Sequence, residues 1–154
     1  MPKNYSSGGF LMNEEKKPRK FVSIMCFHDE LCQVFNALMT AQSLLRSGSK
    51  VTIFFGSRGI NAVHKDKIDK LVCLPDQPQE LQDAVTKKME EMDLPEISLM
   101  METLYYEGAT LLACPLNLNV FGMSQNDLVL GVTVADPATY YKEVMMSADM
   151  NLAF

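Results

Sequence analysis

The stretch Ala109–Gly122, ATLLACPLNLNVFG, constrains the chain more than any other. Thr110–Ala113 is short, apolar and partly β-branched, the composition of a buried strand. Pro115 cannot donate to a sheet ladder, so the strand must stop at Cys114. Proline is favoured at the first position of a helix, and LNLNVFG reads as a short helix ending near Gly122. Cys114 is thereby expected between the carboxyl end of a strand and the amino end of a helix. In open α/β sheets ligands bind at that edge, and a helix amino terminus favours the reactive thiolate. The competing expectation is a buried cysteine acting as a small hydrophobe.

Around this stretch, strands and helices alternate. Phe21–Phe27 is a continuous apolar run of strand length. Asp29 is the expected cap of a helix whose stripe is Leu31, Val34, Phe35, Leu38, Ala41 and Leu45, ending at Gly48. Val51–Phe55 is a second buried strand, and Ser57 is the expected cap of a short helix through Ile60, Asn61 and Val63. Gln79–Met92 reads as a helix, and Asp93 as the cap of another, with Pro95 in its first turn and Gly108 as its end. Ser124 to Asp127 has capping-box spacing. Val132–Val134, a helix opened by Asp136-Pro137, and Asn151–Phe154 complete the series. Such alternation predicts a mostly parallel sheet covered on both faces. Residues 1–19 are polar and read as a flexible tail, leaving 20–154 as one domain.

Charge and cysteine usage narrow the function. The 154 residues carry a net charge of −5, which disfavours nucleic acid and anionic membrane as main partners. No apolar run approaches the roughly 20 residues of a membrane span, and the amino terminus lacks the apolar core of a secretory signal. A cytoplasmic location is therefore expected. There Cys26, Cys32, Cys73 and Cys114 should all be reduced, and their spacing offers neither a disulfide framework nor a zinc motif. Neither nucleotide-binding glycine fingerprint is present, and no cofactor or metal is expected.

His28, Arg58 and Asn117 are the candidate neighbours of Cys114. His28 follows the first strand, so it would approach the thiol and hold or move its proton if the first and third strands were adjacent. Arg58 follows the second strand, at a helix start suited to an anion. Asn117 follows Cys114 and offers an amide to a sulfur adduct. Cys26 and Cys32 read as packing residues. The Met-rich segment from Met89 to Met101 is more apolar than one helix face requires, which suggests a subunit contact.

FVSIMCFHDELCQVFNALMTAQSLLRSGSKVTIFF with GSRGIN resembles the opening of DsrE/DsrF-like proteins, in the single-cysteine branch described as sulfurtransferase or peroxiredoxin-like. The run TKKMEEMDLPEISLMMETLYYEGATLLACPLNLNVFGMSQNDLVLGV is closer still, above all from Ala113-Cys114 to Gly122. This resemblance implies a three-layer α/β/α fold with about five strands. It also implies that Cys114 carries sulfane sulfur as a persulfide between donor and acceptor proteins or small thiols, in a homo-oligomer such as a trimer or hexamer. Asn117 stands where the family commonly has a small hydroxyl residue, and Asp136-Pro137 where it has a small or Gly-rich pair. The alternative function is a non-catalytic binding or assembly module with Cys114 packed away.

Overall fold

Apolar runs form the first four strands, and each breaks where a glycine, proline or charge falls. The computed structural model describes residues 19–154; the expected tail lies, but for Arg19, outside the described residues. In chain order the elements are β1 (Phe21–Cys26), α1 (Leu31–Arg46), β2 (Lys50–Phe55), α2 (Gln79–Glu91), α3 (Ile97–Tyr106) and β3 (Thr110–Ala113). Then come α4 (Pro115–Val120), β4 (Val132–Val134), α5 (Pro137–Tyr140) and β5 (Met150–Ala153). A 3₁₀ segment spans Ser57–Val63, and a π-type turn, Tyr141–Met145, continues α5.

All strand pairings are parallel, in the order β4-β3-β2-β1-β5. The steps β1 to β2 to β3 to β4 run one way across the sheet, and the step to β5 runs back. Because parallel crossovers are right-handed, the first three connections cover one face and the last covers the other. Side-chain alternation agrees. Val22, Ile24, Val51, Ile53, Phe55, Leu111 and Ala113 join the large core with Val34, Leu38, Met101 and Leu104 of α1 and α3. On the opposite face Phe54 packs with Cys114 and Tyr140, bordered by Met25, Phe27, Leu112, Val144 and Met145. Helices thus cover both faces, as expected, but among the described residues the second cover is one short helix with its π-type turn.

Three expected caps are corrected. Gly56, not Ser57, is the cap residue of the 3₁₀ segment, which Ser57 opens. Glu30, not Asp29, is the N-cap of α1, because the Asp29 carboxylate accepts a bond from Asn61 Nδ2 (2.9 Å). Glu96, not Asp93, precedes α3; Asp93 takes a left-handed backbone (φ 53°) that ends the turn after α2. At α5 the expected cap holds, with Asp136 accepting from the Thr139 N–H at 3.2 Å. The Ser124–Asp127 capping box is also formed. Among the described residues, no helix is long and apolar enough to cross a membrane.

Candidate functional site

Cys114 stands where its local sequence requires. Its N–H donates to Phe55 O (3.0 Å), the last rung joining it to β2, and its carbonyl accepts from Leu118 N–H (3.0 Å), the first bond of α4. Cys114 is thus the N-cap residue of α4, with extended backbone, and Pro115 opens the helix. One position beyond Ala113, alternation turns the side chain to the thinly covered face. There Phe54 and Tyr140 enclose it, and only 3% of the residue is exposed.

The cover is held by Tyr140. Its ring stacks on Phe54 at 4.2 Å between centroids. Its hydroxyl forms a buried hydrogen bond with the Ser23 hydroxyl of β1. Burial raises the Tyr140 pKa above its usual value, and the bond to Ser23 offsets part of that rise. Ser23 is a polar residue inside an apolar strand, and this bond satisfies it.

His28, Arg58 and Asn117 all lie at the carboxyl edge of the sheet, and each has a polar partner other than Cys114. β2 separates β1 from β3, so the strand adjacency on which the approach of His28 to Cys114 depended is absent. His28 is exposed, with Nδ1 3.4 Å from Glu30 Oε2. Arg58 pairs through Nε with Asp29 Oδ1 (3.2 Å) and through its terminal nitrogen with Glu30 Oε1, so two carboxylates balance its charge. Burial works to raise the Glu30 pKa, but its backbone hydrogen bond and Arg58 bring it below the usual carboxylate value. Asn117 reaches across to β2's end, where its Oδ1 accepts from Ser57 N–H (2.8 Å). Ser57 has φ 49°, and this bond helps hold it in that conformation.

Cys26 lies on the other face, in the large core, where burial pushes its thiol up to about 12. It is a packing residue, as expected. Cys32 and Cys73 depart from expectation. They form a disulfide, with Cα atoms 5.0 Å apart across 41 residues of sequence. No spacing motif signals this pairing, because only the folding of the 57–78 connection back onto α1 brings the two together. Sequence reasoning also missed the Ser23–Tyr140 bond; its one trace was a lone serine in an apolar run. Among the described residues, no cluster of three His, Cys, Asp or Glu is placed to hold a metal ion.

A family model described as the DsrE/DsrF/DrsH-like family matches residues 75–153. The chain belongs to this family. Solved structures agree in fold. The YchN protein from E. coli is 19% identical, with a TM-score of 0.64 over 88% of this chain and 99% of that one. MTH1491 from Methanobacterium thermoautotrophicum, a protein of unknown function, is 16% identical at the same TM-score and coverage. No curated protein matches the chain.

Proposed function

We propose that the chain is a sulfur carrier or sulfurtransferase in which Cys114 holds sulfane sulfur as a persulfide. The observation that carries the reading is the place of Cys114, at the carboxyl edge of β3 and the N-cap of α4, in a chain of the DsrE/DsrF/DrsH-like family. The thiolate attacks the outer sulfur of a persulfide donor, the donor's S–S bond breaks, and the donor's inner sulfur leaves as a thiolate. An acceptor thiolate then attacks the terminal sulfur of the persulfide and regenerates Cys114. Access and thiolate fraction set the rate of such exchanges.

Donors and acceptors, whether proteins or small thiols, approach over the sheet edge. Asn117 fixes the adjoining turn, while His28 and Arg58 form its outer rim. Because Cys114 is 3% exposed, α5 and its π-type turn must shift to admit them. Exposed Leu116 and Val120 on α4, with Tyr141 and Met146 beyond α5, support association with further copies of the chain; a trimer or hexamer is what the family resemblance implies. A cytoplasmic location fits a carrier that needs reduced thiols.

The decisive measurement is intact mass after incubation with a persulfide donor. The wild-type chain gains one sulfur and Cys114→Ser gains none. The second reading is an assembly module with a structural cysteine, for which Cys114 would stay as buried in solution as it is here; no gain of sulfur, with Cys114 alkylated only after denaturation, would support it and overturn the carrier.

A further inference from the structure

We propose that Cys32–Cys73 is a second, reversible thiol–disulfide site, separate from Cys114, that a small thiol of the glutathione class opens at Cys32 and that thereby loosens the α2 segment. This goes beyond the sulfur-carrier reading and does not depend on it. The pair belongs to the large-core side of the sheet, where α1 packs, whereas Cys114 lies under α5.

Access selects the sulfur that is attacked. Cys32 is the second residue of the 16-residue α1 and is exposed, whereas Cys73 is 8% exposed. A helix amino terminus makes Cys32 the better leaving group, which by itself favours attack at Cys73 by at most about fivefold. Burial of Cys73 outweighs that preference. In the first step the thiolate RS⁻ bonds to Cys32 Sγ, the Cys32–Cys73 bond breaks, and Cys73 leaves as a thiolate that takes a proton from water. In the second, another RS⁻ attacks the mixed disulfide and releases RSSR and the Cys32 thiolate. In total two RSH are oxidised to RSSR and one disulfide is reduced to two thiols.

The backbone prepares the site to close again. Leu31 N–H donates to Val72 O at 2.8 Å, a bond between the residues that precede the two cysteines. It holds the chains together when the sulfurs part, so oxidised glutathione can restore the disulfide. The disulfide also steadies α2, the next helix along the chain. α2 has no buried residue, and Leu81 on it and Met92 just past its end are exposed. Cys73 Sγ lies 3.4 Å from Met89 Sδ, so the disulfide is one of the few anchors beneath α2. That helix also walls a groove of about 220 Å³ shared with Leu31, Phe35 and Ile97.

The full chain is equilibrated in glutathione buffers of graded oxidation, trapped by alkylation, and mapped by peptide mass. Cys32 and Cys73 should pass together from disulfide to alkylated thiols without unfolding. In Cys73→Ser, oxidised glutathione should add to Cys32; in Cys32→Ser, addition to Cys73 should be at least about tenfold slower. Hydrogen exchange of the wild type, which needs no variant, should quicken about tenfold or more over residues 71–94 on reduction, with β1 to β3 unchanged. Four free thiols under oxidising glutathione would overturn the proposal. So would a disulfide that yields only on unfolding, equal addition at both cysteines, or unchanged exchange over residues 71–94.

Discussion

Gly59 is the most tightly confined glycine among the described residues. A Cβ there would lie 2.1 Å from the Cys26 carbonyl oxygen, which also accepts from Gly56 N–H at 3.1 Å. Both groups are backbone, so neither can swing away. Gly59→Ala should cost more than about 2 kcal/mol, read as a lowered urea midpoint with an unchanged slope. His28→Ala should do little. Its strand is two positions from β3, about 10 Å by ordinary strand spacing, and its nearest charged partner is Glu30. The rate of Cys114 alkylation should therefore change by less than about twofold; a large slowing would restore His28 to the site.

Among the elements, α5 governs Cys114 and the link from α1 to Cys73 governs α2. Tyr140→Phe keeps the stacking on Phe54 but leaves the Ser23 hydroxyl without its partner. The expected loss is about 1–3 kcal/mol, with faster alkylation of Cys114 as its cover loosens. Cys73→Ser should cost about 2–4 kcal/mol under oxidising conditions and far less in a reductant, where both chains lack the bond. These elements also mark what the sequence could reveal. Thr110–Ala113, Cys114 and Pro115 specify their strand, edge and helix locally, so that stretch was legible residue by residue. The α5 cap was equally legible, since Asp136 and Pro137 act within one turn. Strand order was not, because the position of β2 between β1 and β3 depends on crossovers that no local pattern encodes. The adjacency of β1 and β3, on which the approach of His28 rested, is absent for that reason. Asp29 failed as a cap because a long-range partner, Asn61, claimed its carboxylate. The pairing of Cys32 with Cys73 was illegible because the two lie 41 positions apart with no spacing motif to join them.

For the whole molecule, burial of Cys26 sets an alkaline limit. Its thiol ordinarily titrates at 9.0 and is pushed up to about 12, first by burial and then by the nearby Asp29 and Glu30 charges, against a backbone hydrogen bond at His28. The folded chain thus keeps a proton that the unfolded chain gives up. Stability from this group is complete below pH 9.0 and is lost as the pH climbs from there toward 12. The slope approaches about 1.4 kcal/mol per pH unit, and Tyr140 adds to it with the same sign. Cys26→Ala should flatten that slope in urea titrations above pH 9.0, whatever it costs at neutrality. The uneven clothing of the sheet acts on kinetics instead. A reagent for Cys114 must wait for one short helix to lift, so its observed rate should rise with reagent concentration and then level off. The plateau is the frequency at which the lid opens, and it belongs to the protein: chemically unrelated reagents should all reach the same ceiling.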